Sequence, residues 1–286
     1  MAVFLGLAVA ASYGAADFCG GLASKRAAPW SVVLGAQYVG FAGIALLLLI
    51  DGTPAPAAGD LVLGAIASCI GVLGVGLLYF GLARGPMGVV APITAVGSAI
   101  VPVVWGLATG ERPGVAGLVG VVVALVAVVL ISHTRGGDDD STGPDDSTRP
   151  ARLTLIASVA AGLAFGTFFV VLSHTGDDSG FWPIFSGRLA STTALLLVLT
   201  LLGRPRLPRG AAPGVVVLAG LFDVAANALF LLAAREGLLS LVSVLASLYP
   251  ATTVILASTV LDERLQRQQL VGLGAALGGV ALITGG

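Results

Sequence analysis

Long apolar segments with almost no charged residues alternate with short polar turns along most of the chain. A helix needs about 20 apolar residues to cross a hydrocarbon core about 30 Å thick, and ten segments approach or exceed that length. These runs are continuous, whereas the strands of a membrane barrel alternate in polarity over about ten residues. The pattern therefore predicts ten membrane-spanning helices, at residues 2–22, 31–50, 60–83, 87–109, 113–132, 153–173, 182–202, 211–234, 238–260 and 268–285.

One segment departs from this pattern. Residues 133–152 read HTRGGDDDSTGPDDSTRPAR, a polar composition rich in aspartate that is typical of a flexible linker. Its five aspartates lack the regular ligand spacing of a calcium-binding loop, so no metal site is predicted. We expect this acidic linker to separate a first five-helix unit, residues 1–132, from a second one, residues 153–286.

The two units repeat each other at a constant offset of 152 positions. The pairs that share this offset are Tyr13-Gly14 with Phe165-Gly166, Trp30 with Trp182, Gly85 with Gly237, Glu111-Arg112 with Glu263-Arg264, and Gly120 with Gly272. Because five is an odd number of crossings, the second unit must enter the membrane in the opposite direction. The sequence thus predicts an all-α integral membrane protein of two inverted five-helix repeats, a plan that secondary transporters use for alternating access.

The composition supports the membrane assignment and excludes several classes. Hydrophobic residues make up 57% of the 286 positions and charged residues only 10%, against about 25% charged in an ordinary soluble domain. A soluble globular enzyme and a disordered chain are therefore excluded. The net charge of −1 provides no field that would attract nucleic acid.

Several motifs, in the same order, resemble a known family. They are the aromatic-glycine pairs Tyr13-Gly14 and Phe165-Gly166, Arg188 in the seventh span, Tyr249-Pro250 followed by Asp262-Glu263-Arg264, and the glycines of the fifth span of each half. Together they resemble the drug/metabolite transporter superfamily, specifically its ten-helix EamA-type transporters. The resemblance implies export or exchange of small metabolites.

The first half departs from this pattern at two positions. Ser98 stands at the position that matches Pro250, and Ala36, beside Gln37, stands at the position that matches Arg188. The two halves are therefore expected to be functionally unequal, with more of the polar chemistry in the second half.

Three ionisable residues fall inside predicted spans, namely Asp17, Arg188 and Asp223. Charged groups are costly inside a bilayer, so each is a functional candidate. Asp223 lies mid-span with Asn227 one turn later on the same face. Our hypothesis gives Asp223 the proton- or cation-responsive role and Arg188 the binding of an anionic substrate group. The alternative is a permanent ion pair of Arg188 with either aspartate, which would only lock the bundle.

Further polar and helix-bending residues complete the set of candidates. Those expected either to line a cavity or to bond between helices are Gln37, Tyr38, Tyr79, Ser98 and Tyr249. Pro250 is expected to bend its helix and so contribute to gating. Glu111 and Glu263 follow the fourth span of each half and are expected to be structural or gating groups.

The predicted function is that of a secondary transporter rather than an enzyme. The two histidines, His133 and His174, lie at predicted helix ends, and no GxxxxGK[ST] loop is present, so neither a cofactor nor ATP use is predicted. We expect export or exchange of small metabolites such as amino acids, by alternating access coupled to protons. The alternatives are a non-transporting membrane scaffold or sensor and a membrane-embedded lipid-modifying enzyme.

The expected setting is the cell membrane, where lipids and a small metabolite are the partners of a monomer or homodimer. The loops after the odd-numbered spans hold eleven Lys and Arg residues, and those after the even-numbered spans hold two. Positive loops favour the cytoplasm, so the count predicts both termini outside. The family resemblance implies both termini inside.

Overall fold

The computed structural model describes residues 1–84, 87–132, 148–204, 207–260 and 267–285. Within these ranges the chain forms eleven α-helices and a short 3-10 turn at Asp177–Ser179. The helices are α1 (Ala2–Ser24), α2 (Pro29–Asp51), α3 (Ala58–Arg84), α4 (Met87–Ala108), α5 (Val115–Ser132), α6 (Thr148–Ser173), α7 (Trp182–Leu201), α8 (Pro213–Glu236), α9 (Leu239–Ala246), α10 (Tyr249–Val260) and α11 (Arg267–Gly285).

Seven helical segments of the described chain are long and apolar enough to cross a membrane. They are Ala2–Ser24, Pro29–Asp51, Ala58–Arg84, Arg152–Ser173, Trp182–Leu201, Pro213–Glu236 and Leu239–Val260. Three shorter apolar helices, Ile93–Ala108, Val115–Ile131 and Arg267–Ile283, fall in the remaining predicted spans. The predicted all-α membrane class is therefore confirmed, while the count of ten crossings stays a prediction.

Most helix ends lie within two residues of their predicted positions, but two features depart further. Helix α6 begins at Thr148, inside the predicted linker, and linker residues 133–147 lie outside the described ranges. The expected ninth span is interrupted at Ser247 and Leu248, between α9 and α10. Pro250 explains the interruption, because it has no N–H to donate to the carbonyl four residues earlier.

The helices of the two halves pack on each other rather than forming two separate bundles. Helix α1 packs along α8, and α3 packs along α6; α2 lies against α8, and α3 against α7. If every helix is replaced by its counterpart in the other half, the α1–α8 contact becomes the α6–α3 contact. In the same way, the α2–α8 contact becomes the α7–α3 contact. The fourth helices follow the same rule, since α4 packs on α6 and α10 packs on α1. The packing therefore has the internal symmetry expected of a duplicated unit.

The fifth helices, α5 and α11, join the halves through glycine. A Cβ atom on Gly120 would lie 2.8 Å from the carbonyl oxygen of Gly279, and one on Gly272 would lie 2.6 Å from the backbone nitrogen of Ile131. Only glycine permits backbones to approach so closely. By contrast, Gly274 has no atom within 4 Å of such a Cβ. Gly120 and Gly272 thus serve assembly of the two halves.

Candidate functional site

A cavity lies at the centre of the bundle, between helices of both halves. We call it the central cavity, and its lining residues are Tyr13, Val33, Ala36, Gln37, Ser68, Gly71, Val72, Val75, Tyr79, Phe165, Phe168, Leu172, Ile184, Arg188, Ser191, Asp223 and Asn227. Its volume of about 50 Å³ is enough for a few water molecules. Sites for drug-sized ligands usually occupy about 300–1,000 Å³, so the central cavity is small in this structure.

Arg188 of α7 is the centre of a hydrogen-bonded network in the central cavity. Its guanidinium forms an ion pair with Asp223 of α8 and donates a hydrogen bond to the side-chain oxygen of Gln37 of α2. The amide of Gln37 in turn donates to Ser191 Oγ at 2.7 Å. The Arg188 side chain is only 8% exposed, so this pairing compensates a charge that would be costly to leave unpaired in the interior.

Gly40 makes room for this arginine. A Cβ atom on Gly40 would lie 3.3 Å from Cζ of Arg188. The absence of a side chain on this turn of α2 therefore leaves space for the guanidinium beside Gln37.

The network continues from Asp223 to the first helix. Asn227 Nδ2 donates to the backbone carbonyl of Asp223 at 2.7 Å and lies 3.4 Å from its Oδ2. Tyr13 of α1 donates its hydroxyl hydrogen to Asn227 Oδ1 at 2.9 Å. One chain of polar contacts thus connects four helices, two from each half of the chain.

A second, smaller cavity adjoins the first around Asp17. We call it the Asp17 pocket, and its lining residues are Tyr13, Asp17, Val75, Ser98, Phe165, Phe169, Asp223 and Tyr249. Its volume is about 20 Å³. Asp17 itself is half-buried. Among the residues that the structure describes, none forms a hydrogen bond or an ion pair with its carboxylate.

The aromatic-glycine pairs explain how the two halves present rings to these cavities. A Cβ on Gly14 would lie 2.5 Å from Cβ of Thr252 in α10, and one on Gly166 would lie 2.6 Å from Cβ of Val101 in α4. Each glycine therefore lets the first helix of one half touch the fourth helix of the other. The preceding residue, Tyr13 in one case and its counterpart Phe165 in the other, lines both cavities.

The remaining polar lining groups bond to nearby backbone. Tyr79 contacts the carbonyl of Ala16 at 3.4 Å, and the Tyr249 hydroxyl lies 3.5 Å from the carbonyl of Ala91. Ser98 donates to the carbonyl of Ala95 at 2.8 Å within its own helix. These groups retain acceptor capacity toward the cavities.

Most of the site residues suggested by the sequence lie together. Arg188, Asp223, Asn227, Gln37 and Tyr79 line the central cavity, and Asp17, Ser98 and Tyr249 line the Asp17 pocket with Asp223. The exception is Tyr38, which is 43% exposed and lines neither cavity.

Of the other residues expected to contribute to gating, Pro250 and Glu111 line neither cavity. Pro250 occupies the second position of α10, and Glu111 contacts the start of α9. Glu263 lies outside the described residues.

Sequence reasoning missed two kinds of lining residue. Ser191, which lines the central cavity, lies three residues after Arg188 on the same helix face. This spacing is only a weak indication of a site residue, because serine is common between membrane helices. Tyr13, Phe165 and Phe169 were not proposed as site residues. The repeated aromatic-glycine pairs gave a usable signal for the first two of these.

Few ionisable side chains of the described chain lie at the two cavities. No group of three or more His, Cys, Asp or Glu side chains able to hold a metal ion occurs in the described part of the chain. Among the residues that the structure describes, the charged ones that line the two cavities are Arg188, Asp223 and Asp17.

Two of three comparisons with known proteins found matches. A sequence model of the EamA-like transporter family matches residues 1–133 and 152–285, which confirms the family resemblance inferred from the motifs. A solved protein crystal structure superimposes with a TM-score of 0.74 at 15% identity, over 99% of this chain and 96% of the other. At that identity the likeness concerns the fold alone. No curated protein matches the sequence.

Proposed function

The chain belongs to the EamA-like transporter family, and on that premise we propose that it is a secondary transporter of small metabolites in the cell membrane. The proposed cargo consists of amino acids and related amines, moved by export or exchange. The proposed mechanism is alternating access, with the central cavity facing the two sides of the membrane in turn. This activity needs no bound cofactor and no catalytic residue.

The polar network of the central cavity is the observation that carries this proposal. Arg188, Asp223 and Gln37 lie among membrane-spanning helices, where polar groups are expensive and usually mark a substrate pathway. The network joins helices from both halves. Relative motion of the halves would therefore change the surroundings of the same polar groups, as alternating access requires.

The small size of the central cavity is consistent with a site that opens during transport. Its volume of about 50 Å³ is well below the roughly 300–1,000 Å³ of sites for drug-sized ligands. We propose that the helices around the cavity separate as a metabolite enters, and that the cavity then opens toward one membrane face.

Proton coupling is proposed through the two interior aspartates. Asp223 is paired with Arg188, whereas Asp17 has no cationic partner among the described residues. A proton and a substrate can compete for such a carboxylate, and this competition is a simple way to couple their movements.

Charge movement in proteoliposomes on a solid-supported membrane tests the proposal. An amino-acid and organic-amine panel is applied with and without a pH step, and counterflow detects electroneutral exchange. We expect a saturable signal for at least one compound that reverses with the gradients and is lost in Arg188→Ala. Silence in both assays with folded wild-type protein would contradict transport and favour a membrane scaffold or sensor.

A further inference from the structure

We propose that the Asp17 pocket is a subsite for the ammonium group of a substrate that carries a net positive charge. This inference rests on the proposed transport function and narrows its substrate class. It predicts that amines without a carboxylate bind better than amino acids with the same side chain.

The charge balance of the two cavities gives the first argument. Arg188 is already neutralised by Asp223, with which it forms an ion pair. Asp17 adds a second carboxylate that lines the same pocket as Asp223. Over the described residues, the three charged groups of the lining therefore sum to one uncompensated negative charge when both aspartates are ionised. A monovalent cation completes this balance, whereas a zwitterion or an anion does not.

The arrangement of Arg188 gives the second argument. The Arg188 side chain is 8% exposed, and its guanidinium bonds with Asp223 and Gln37. A substrate carboxylate would have to compete with Asp223 for this nearly buried guanidinium, and weakening a buried ion pair is unfavourable. The arginine is thus better suited to orienting Asp223 than to binding a second carboxylate.

The lining of the Asp17 pocket gives the third argument. Four aromatic rings, those of Tyr13, Phe165, Phe169 and Tyr249, share the pocket with Asp17. Aromatic faces attract cations, and the attraction strengthens where water is excluded. The ring of Phe169 is fixed by stacking on Phe230, with centroids 4.2 Å apart. The pocket therefore offers a carboxylate and preformed aromatic walls, which together suit an ammonium group.

The volume of the Asp17 pocket indicates which part of the substrate it takes. About 20 Å³ holds roughly one water molecule, and a primary ammonium group is similar in size. Because Tyr13, Phe165 and Asp223 also line the central cavity, the remainder of the substrate would extend into that larger space. The Asp17 pocket would thus bind the ammonium group, and the central cavity would hold the rest of the substrate.

Three ligands with one ring and different charges test the inference. They are phenethylamine, phenylalanine and 3-phenylpropionate, titrated calorimetrically into the full chain in lipid nanodiscs. We expect phenethylamine to bind at least about tenfold more tightly than phenylalanine, and 3-phenylpropionate not to bind. The expected ratio corresponds to one unmatched charged contact in the interior. Equal or tighter binding of phenylalanine, or no saturable binding of phenethylamine, would overturn the proposal.

Variants of the pocket identify the residue that carries the effect. Asp17→Asn should weaken phenethylamine binding about tenfold or more, and Asp17→Glu should restore part of it because the charge is kept. Asp178→Asn makes the same change at an exposed position outside the α-helices and should have no effect. Tyr249→Leu should weaken binding about threefold, because the pocket then loses one aromatic face. Unaltered phenethylamine binding in folded Asp17→Asn would refute the subsite.

The binding and transport assays separate this inference from the proposed function. Transport that is unaffected by Asp17→Asn, together with unaltered binding, would remove the ammonium subsite and leave the transporter in place. Amine binding that depends on Asp17, with no charge movement and no counterflow, would support the subsite and contradict transport.

Discussion

The carboxylate of Glu111 accepts a hydrogen bond from the backbone N–H of Leu239 at 2.8 Å. Its second oxygen accepts another from the N–H of Ser240 at 3.1 Å. The first N–H groups of a helix have no partner within it and favour negative charge, so Glu111, which follows α4, caps the N-terminus of α9. This contact joins the two halves of the chain.

Removing this cap should destabilise the protein. We expect Glu111→Ala to lower the free energy of unfolding by about 1–2 kcal/mol, because two N–H groups at the start of α9 lose their acceptor. Glu111→Gln, which keeps one oxygen acceptor but loses the charge, should cost less. Thermal unfolding in detergent measures the order of the variants. Glu236→Ala, an exposed glutamate at the end of α8, is the control, and an equal loss there would argue against a specific cap.

The Arg188–Asp223 pair should show strong thermodynamic coupling. Arg188→Gln leaves Asp223 as an uncompensated charge, so we expect a loss of about 3 kcal/mol of stability. The double variant Arg188→Gln/Asp223→Asn removes both charges and should recover most of that loss. A double-mutant cycle of thermal unfolding gives the coupling energy. Additive losses would mean that the ion pair contributes nothing to folding.

The same double variant distinguishes a structural pair from a functional one. If the ion pair only stabilises the helix bundle, the folded double variant should retain substrate counterflow. We expect instead that it folds and loses transport, because the site then lacks the charges that position the substrate. Retained transport would support the alternative of a permanent structural lock.

Glycines in the aromatic-glycine pairs should tolerate no side chain. Gly14→Ala and Gly166→Ala would each bring a Cβ to within 2.6 Å of a side-chain carbon on the facing helix. We expect each to cost about 1–3 kcal/mol of stability by overpacking. Gly274→Ala makes the same change where no atom lies within 4 Å, so it should be neutral or stabilising. Equal melting temperatures for all three variants would contradict the close contacts of Gly14 with α10 and of Gly166 with α4.

Much of this fold was readable from the sequence because the bilayer restricts the choices. Continuous apolar runs specify helices, and the offset of 152 between Trp30 and Trp182 specifies the duplication. The sequence did not predict the break between α9 and α10, just before Pro250. A proline in an apolar segment is compatible with a bent helix, with the start of a helix or with an interruption. The start of α6 at Thr148 was also missed, since the polar composition of the linker does not exclude a helical turn.

The sequence predicted most of the polar residues that line the two cavities, but not how they pair. The cost of charge inside a membrane singled out Asp17, Arg188 and Asp223 as candidates. Which aspartate pairs with Arg188 depends on how α7 and α8 rotate about their axes, and single-sequence periodicity carries little of that information. The helix α2 is apolar nearly all round, so nothing in its sequence indicated that Gln37 faces inward whereas Tyr38 is exposed.

Proton competition at Asp17 should weaken amine binding at low pH. Protonation neutralises the carboxylate, so the apparent Kd of phenethylamine should rise as the pH falls, and Asp17→Asn should abolish that dependence. The titratable and charged groups near Asp17 are Asp223 on α8, Arg188 on α7, Tyr79 on α3, Tyr249 on α10 and Tyr13 on α1 itself. Asp223→Asn tests the other aspartate. A pH dependence that survives Asp17→Asn but not Asp223→Asn would assign the proton to Asp223.

One end of the bundle is defined by contacts between its loops. Trp182 Nε1 donates to the carbonyl of Thr53 at 2.9 Å, and the N–H of Gly176 donates to Asp60 at 2.8 Å. Arg235 donates to the carbonyl of Gly176 at 3.0 Å. The loops that follow α2 and α6 and the end of α8 therefore lie together, at the end of the bundle that carries two of the thirteen loop Lys and Arg residues.

This end is expected to face outward, because positive loops favour the cytoplasm. Matched substitutions test it in a background without Cys19 and Cys69: Ala55→Cys at this end and Ala212→Cys at the opposite end, both at exposed positions. A membrane-impermeant maleimide should label the first variant in intact cells and the second only after permeabilisation. The reverse labelling would put both termini inside, as the family resemblance implies, and would mean that loop charge does not set the orientation of this chain.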